Sequence, residues 1–328
     1  MTDPAARLAP VVRLAPAKLN LTLAIVGRRP DGFHALHSVM VPLALADRLS
    51  LAVLPDGRDT LHTTGFDPGP APENLALKAV AFARDAVGAT GLPAPPLALR
   101  LDKRIPVAAG LAGGSSDAAA ALDGALEAWA AEAAIGAAER AELAARLGSD
   151  VPFFLLGGPA LVEGRGERVT LLHGVKGEER PGIVLVTPAI PAPTGAVFAA
   201  WAGGAMTEPG ITRRTSEHFA SEFGSGLSIR QLVERAAVLA SANDLLPAAA
   251  SVVPGLVSLR RGLARRLGRP VGLSGSGPTL WTLYPSLDEA QTAATIVRDA
   301  AAAGDLPFPG DGPPFIEATT IETSRSER

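Results

Sequence analysis

The segment IPVAAGLAGGSSDAAAAL, residues 105–122, gathers residue types that suit phosphate chemistry. Gly110, Gly113 and Gly114 let a backbone approach a ligand closely, and Ser115, Ser116 and Asp117 follow at the start of a predicted Ala-rich helix. Unpaired N–H groups and the positive end of the helix dipole converge at such a start, which favours an anion. No Lys-Ser/Thr pair follows the last glycine, so this is not a Walker A loop, and the glycine spacing is not a dinucleotide-binding fingerprint. A Gly-rich turn with serine N-caps is the plainer alternative. Three glycines and two serines packed before a long helix favour phosphate binding.

Lys18 and Asn20 form a second constellation. Leu19, Leu21, Leu23 and Ile25 alternate with Lys18, Asn20, Thr22 and Ala24, so Lys18 and Asn20 share one face of a predicted strand over residues 11–26. That face either meets solvent or carries function. Of 30 basic residues only Lys18, Lys78, Lys103 and Lys176 are lysines, and a retained Lys in an Arg-rich chain marks a place that needs a compact ammonium. Asp150 follows Gly148-Ser149 at a predicted helix end, where an Asp often satisfies turn N–H groups. Phe33 and His34 lie in the turn-rich stretch GRRPDGFH, residues 27–34, while Phe198 stands four residues after Thr194. Taken singly, each aromatic ring reads as core. A further Gly/Ser turn, GLSGSGPT at 272–279, holds Ser274, Gly275, Ser276 and Gly277.

The elements that must position these groups alternate irregularly. Helices are predicted over Asn74–Val87 (with Asn74 as cap), 117–132, Ala137–Leu147, 229–240, 255–267 and 287–303. Strands are predicted at 39–54, 93–101, from Ile183, at 279–284 and near 314–321, with a hairpin over 159–172 turned at Gly164–Gly166. The polar segment 173–181 reads as a linker, and residues 202–228 read as a mobile surface insert. Mixed order without strict βαβ alternation implies α+β with two domains, 1–177 and 178–328. Asn243-Asp244-Leu245 reads as a structural helix start.

Composition narrows the function. The chain has 328 residues, 47% of them apolar, and a formal charge of −3, which argues against a nucleic-acid or membrane-surface protein. The absence of Cys excludes disulfides and thiolate chemistry, and no HExxH-type metal spacing occurs. No apolar run reaches membrane-span length, so a cytoplasmic setting is expected.

The glycine segment resembles the phosphate-binding loop of the GHMP kinases. It is most similar to the branch that phosphorylates 4-diphosphocytidyl-2-C-methyl-D-erythritol. APAKLNLTLAIVGRRPDGFH at 15–34, SDVPFFLLGGPALVEGRGE at 149–167 and GLSGSGPTLW at 272–281 match that branch in order, across nearly the whole chain. Three departures stand out: Ala112 where Gly is usual, Phe33 where Tyr is usual, and a longer 202–228 segment.

The resemblance implies a two-domain fold with a ribosomal-protein-S5-like N-terminal domain and a ferredoxin-like C-terminal domain. It implies ATP contacts from Lys103, Pro106, Ala108 and Ala109, and from the loop running from Gly110 through Leu111, Ala112, Gly113, Gly114 and Ser115 to Ser116. Lys18 would steer the acceptor hydroxyl and Asp150 would accept its proton. Phe33 and Phe198 would sandwich a cytosine whose edge meets His34, and Asn20, Thr194 and the 274–277 turn would face the acceptor. Mg2+ is expected with ATP, held by Ser116 or water, since no carboxylate stands out as its ligand. The partner implied is a small cytidine-diphosphate-linked alcohol, acted on by a monomer or weak homodimer. A sibling kinase for another small alcohol and a silent nucleotide-binding relative are the alternatives.

Overall fold

The computed structural model describes residues 9–203 and 210–323. In the first half, β1 (Val11–Asn20), β2 (Ala24–Arg28), β3 (His34–Val53) and β4 (Thr60–Gly65) precede α1 (Leu75–Ala89), β5 (Leu97–Lys103) and α2 (Gly113–Ala128). Then come α3 (Ala137–Leu147), α4 (Val151–Leu156), β6 (Ala160–Gly164) and β7 (Arg168–Leu171). The second half holds β8 (Gly182–Thr187), α5 (Thr194–Gly203), α6 (Ile211–Gly224), α7 (Ile229–Glu234), α8 (Ala236–Leu239) and α9 (Leu246–Val252). It ends with α10 (Leu256–Leu267), β9 (Gly272–Leu273), β10 (Leu280–Tyr284), α11 (Leu287–Ala302) and β11 (Phe315–Thr320).

β3 is the spine of the first half. Its twenty residues pair antiparallel with β1, β2, β5 and β6, and β4 adds parallel to β5. One core lies between this sheet and α1–α4, and a second packs the order β11-β8-β10-β9 against α9, α10 and α11. A third apolar cluster joins the halves: Leu19, Val41, Ile105 and Leu111 meet Ile183, Leu185, Trp281 and Leu283. The site elements of both halves are therefore held by continuous buried apolar surface, each large side chain contributing roughly 1.5–3 kcal/mol.

Local chemistry explains the boundaries. Asn74 Oδ1 accepts from Ala76 N at 2.9 Å and caps α1, a contribution of about 1 kcal/mol. α2 is largely alanine on its buried faces, which lets α1 and the sheet approach closely.

Several sequence expectations need correction. The strand expected over 11–26 stops at Asn20 and resumes at Ala24, because Leu21 N and Leu23 N turn to Val39 O and Ala242 O. α2 begins at Gly113, not at Asp117, so Ser115 and Ser116 lie inside the first turn instead of capping it. Residues 151–156 form the short helix α4, and α9 was not anticipated. The 173–181 segment is tied by a bridge from Val175 to Leu227.

The largest correction concerns 202–228. Residues 204–209 lie outside the described residues, but 211–224 form the helix α6, which buries Ser216, Phe219, Ala220 and Phe223. These stand at i, i+3, i+4 and i+7, a helical stripe that the polar composition of the segment obscured. Phe219 and Phe223 stack at 5.1 Å within the cluster joining the halves, so this helix is core and not a mobile surface insert.

Candidate active site

A cleft of about 810 Å³ opens between the two halves. One wall is the start of α2. Ser116 N donates the first intrahelical bond, to Ala112 O at 3.0 Å, so the N–H groups of Gly113, Gly114 and Ser115 have no intrahelical acceptor. No side chain caps them, and these residues line the cleft together with Pro106, Ala108, Ala109, Gly110 and Ala112. The helix presents its positive end to the cavity. Leu111 and Ser116 are buried behind the loop and do not line it.

Ala112 is left-handed, with φ 55°. That conformation explains why glycine is usual there: an L side chain costs about 1 kcal/mol in it. Ala112→Gly should raise the thermal midpoint slightly without weakening ATP binding, as checked by calorimetric melting and nucleotide titration.

The loop is clasped from the second half. Gly110 O accepts from Lys18 Nζ and from Ser274 Oγ, both at 2.9 Å. Gly110 itself has φ 77°, and a Cβ there would stand 2.3 Å from Ser274 O, so only glycine fits the crossing. Asn243 Nδ2 donates to Leu273 O and Gly275 O, each at 3.0 Å, and thereby fixes the Gly/Ser turn. Asn243 thus has a larger part than the helix start read from sequence. Thr194 and Ser276 bond at 3.2 Å and line the cleft with Gly275, whereas Ser274 and Gly277 are buried supports.

Lys18 and Asn20 sit on one face of β1, as their spacing implied, but that face is buried: the two residues are 3% and 2% exposed. Lys18 Nζ donates to Asn20 Oδ1 at 2.7 Å and lies 3.8 Å from Asp150 Oδ2. Asn20 Nδ2 donates to Ser38 Oγ at 2.8 Å, which fixes the amide orientation. Burial pulls the Lys18 ammonium below the usual lysine range, and the Asp150 carboxylate opposes that shift. Asp150 sits at the start of α4 and is partly exposed to the cleft.

Lys103, expected among the ATP contacts, is buried beneath the loop. Its ammonium donates to Asp47 and, at 2.7 Å, to Asp117, so it supports the start of α2 and does not present a free charge. Asp47 also accepts from Arg104 N and Ile105 N, tying the end of β5 into this triad. One ammonium cannot neutralise two buried carboxylates, and the Asp117 carboxyl is pushed up to about 7, chiefly by burial.

A pH dependence follows. The folded protein binds a proton at Asp117 that the unfolded chain releases near pH 4, so this group's contribution is full below that pH and is lost as pH rises through about 7. Asp117→Asn removes that loss. The difference in thermal midpoint between variant and parent should shift in the variant's favour from pH 5 to pH 8, as read by melting at each pH.

At the aromatic end His34 stacks on Phe198, with centroids 5.2 Å apart and planes at 20°. Trp201 meets His34 edge-on at 5.2 Å. Phe33 is half exposed and carries the Arg165 guanidinium 5.5 Å from its ring centre. Burial and the nearby Arg28 hold the His34 imidazole below the usual histidine range, and its Nε2 has no hydrogen-bond partner among the described residues. Phe33, His34, Thr194 and Phe198 all line the cleft.

Arg165, Trp201 and Asp47 escaped the sequence reading. Only GRGE, around Arg165, offered a motif to follow, and the other two act through partners distant in sequence. Among the described residues no cluster of three or more His, Asp or Glu is placed to hold a metal, and no helix is long and apolar enough to cross a membrane.

The site is thus an uncapped helix start facing a buried lysine and a partly exposed carboxylate, with an aromatic recess beside it. Known proteins resemble this chain. The model of the GHMP kinases N terminal domain matches residues 74–158, and that of the GHMP kinases C terminal matches 226–303. The chain is 36% identical to 4-diphosphocytidyl-2-C-methyl-D-erythritol kinase of Pelotomaculum thermopropionicum, over 88% of this chain and 94% of that protein. It is 36% identical to the protein of that name from Deinococcus radiodurans, over 85% and 86%. A crystal structure of 4-(cytidine 5'-diphospho)-2C-methyl-D-erythritol kinase superposes with TM-score 0.66 at 33% identity, covering 95% of this chain and 99% of that one. Homoserine kinase from Cytophaga hutchinsonii shares the fold, with TM-score 0.68 at 16% identity over 98% and 97% of the two chains. With both family models and these relatives matched along its length, the chain belongs to the GHMP kinase family.

Proposed function

We propose that the protein transfers the γ-phosphoryl group of ATP to the 2-hydroxyl of 4-diphosphocytidyl-2-C-methyl-D-erythritol, a step of non-mevalonate isoprenoid precursor synthesis. The observation that carries this reading is the meeting, in one cleft, of the uncapped start of α2 with the Lys18–Asp150 pair. Phosphoryl transfer needs little covalent chemistry from a protein; it needs positioning and charge stabilisation. Amide groups of Gly113, Gly114 and Ser115 bind the triphosphate, and the nucleoside extends toward Pro68, Asn74 and Leu75 along the same cleft. Lys18, fixed by Asn20 and Gly110 O, faces the transferred phosphoryl oxygens with a compact charge. Asp150 orients the acceptor hydroxyl and takes its proton.

Mg2+ enters with ATP. Two oxygens at the start of α2 have no hydrogen-bond partner among the described residues, Ser116 Oγ and Asp117 Oδ1, and Asp117 lines the cleft. Asp117 Oδ1, on the cleft, is a hard donor of the type Mg2+ takes, whereas Ser116 lies behind the loop, so the residues present fit a metal that would be held mainly by phosphate and water. When bound, Mg2+ neutralises charge on the β- and γ-phosphates.

The halves 1–177 and 178–328 act as two domains around the cleft. The protein acts as a monomer or weak homodimer, and a cysteine-free chain suits the cytoplasm. The test is a coupled ADP-release assay with 4-diphosphocytidyl-2-C-methyl-D-erythritol beside mevalonate and homoserine. Turnover with the first alone is expected. Turnover only with mevalonate or homoserine overturns the acceptor assignment.

A further inference from the structure

The buried stripe of α6 carries one polar residue. Phe219, Ala220 and Phe223 pack into the cluster that joins the halves, and Ser216 stands on the same stripe, fully buried. Packing alone needs no hydroxyl there, and a buried hydroxyl destabilises unless it is hydrogen-bonded. Ser216 Oγ has three partners: Thr22 Oγ1 at 2.7 Å, His37 Nδ1 at 2.8 Å and His37 O at 3.3 Å.

Thr22 lies in the interruption between β1 and β2, where the regular ladder is lost. Side chains take over its bonding. Thr22 Oγ1 accepts from Val39 N at 3.0 Å, and Thr22 O accepts from Ser38 Oγ at 2.5 Å. Ser38 Oγ in turn accepts from Asn20 Nδ2 at 2.8 Å, and Asn20 Oδ1 holds the Lys18 ammonium at 2.7 Å. A chain of hydrogen bonds thus runs from α6 through Thr22, Ser38 and Asn20 to Lys18. Each of these residues, Ser216 included, is at most 3% exposed, so bulk water is not at hand to replace a lost partner.

We infer that Ser216 is a positioning residue for phosphoryl transfer: α6, through Ser216, fixes Thr22 and thereby the orientation of Asn20 and Lys18. The inference rests on the proposed role of Lys18. An ammonium on a flexible four-carbon stem stabilises developing charge best when its direction is set before the reaction. Two acceptors set it here, Gly110 O from the phosphate loop and Asn20 Oδ1 from the chain that ends on α6. Ser216, Thr22 and Ser38 do not line the cleft, so they act on the reaction only through Asn20 and Lys18. Packing of α6 is the competing, purely structural role for Ser216.

Steady-state kinetics and thermal melting of full-chain variants separate these roles. Ser216→Ala removes the hydroxyl and little volume. Its kcat should fall about three- to tenfold, the weight of one neutral hydrogen bond, while the ATP KM holds. The alkaline limb of its kcat profile should move to lower pH, because a firmly held Asn20 Oδ1 favours the charged form of Lys18 and the facing carboxylate, Asp150, is unchanged. Ser38→Ala cuts the same chain beside Asn20, so the double variant should be no slower than the slower single variant. Phe219→Leu weakens the packing of α6 and leaves the chain intact. It should lower the melting midpoint at least as much as Ser216→Ala and keep the parental kcat. Thr22→Val keeps the volume and removes the hydroxyl that meets Ser216, and it carries the same expected kcat loss if Ser216→Ala does not fold.

Parental kcat in Ser216→Ala or Thr22→Val, beside a defective Lys18→Met, overturns the inference alone. So do equal kcat losses in Phe219→Leu and Ser216→Ala, which would assign Ser216 to packing, and losses in Ser216→Ala and Ser38→Ala that multiply independently. Parental kcat in Lys18→Met overturns the proposed role of Lys18 and the inference with it.

Discussion

Asp150→Asn should lower kcat by about 10²–10⁴-fold, the usual weight of a positioned general base, with affinity for ATP unchanged. The asymmetry follows from placement. Asp150 sits at the start of α4, 3.8 Å from Lys18 Nζ, while the uncapped amides proposed to hold ATP belong to the start of α2. Asn keeps the size and one acceptor oxygen of Asp but cannot take a proton, so folding is preserved and the chemical step fails. The alkaline side of the pH profile offers a second readout. Burial lowers the Lys18 ammonium and the Asp150 carboxylate holds it up, so removing that carboxylate lowers Lys18 further. Activity that requires protonated Lys18 must fall as pH rises through its pKa, hence the residual activity of Asp150→Asn should decline at lower pH than that of the parent. Single-turnover rates across pH, with nucleotide titration alongside, measure both effects. Parental kcat in the variant would remove Asp150 from the reaction.

Lys18→Met should cost about 10²–10³-fold in kcat, comparable to removing one fixed electrostatic donor from an active site. Methionine fills the buried volume but donates nothing. Asn20 Oδ1 then loses its 2.7 Å partner, and Gly110 O keeps only Ser274 Oγ. Two faults combine: charge on the transferred phosphoryl group goes uncompensated, and the tie between β1 and the phosphate loop is lost. Lys18→Arg should not restore activity, because Gly275 is packed close against the ammonium and a guanidinium fork needs more room. Steady-state kinetics on both variants, with thermal midpoints as the folding control, tests this. Rescue by Arg would mean that positive charge alone suffices at this position.

Much of this was legible in the sequence where the signal is local. Alternation put Lys18 and Asn20 on one face, the Asn74 cap marked α1, and glycines followed by a long Ala run marked a helix start, which the structure leaves uncapped at the cleft. Burial of that β1 face was not legible, since it depends on the Gly110 loop and the Gly275 turn, both distant in sequence, packing against Lys18 and Asn20. α6 was hidden by its many polar and charged residues, although Ser216, Phe219, Ala220 and Phe223 carried the helical period. Asp47 is a single acid in an apolar stretch of sequence, and only the fold brings it to Lys103, 56 residues away. The pairing of His34 with Phe198 joins the first half to α5, a contact that no spacing encodes. Ala112 was noticed as a departure, but its left-handed backbone supplies the reason glycine is usual there.

The most direct measurement is a crystal structure with an ATP analogue and 4-diphosphocytidyl-2-C-methyl-D-erythritol bound together. The expected result has the γ-phosphate on the amides of Gly113, Gly114 and Ser115, and the acceptor 2-hydroxyl between that phosphate and Asp150, within reach of Lys18. A triphosphate lodged away from the start of α2, or a hydroxyl turned away from Asp150, would contradict phosphoryl transfer at this site.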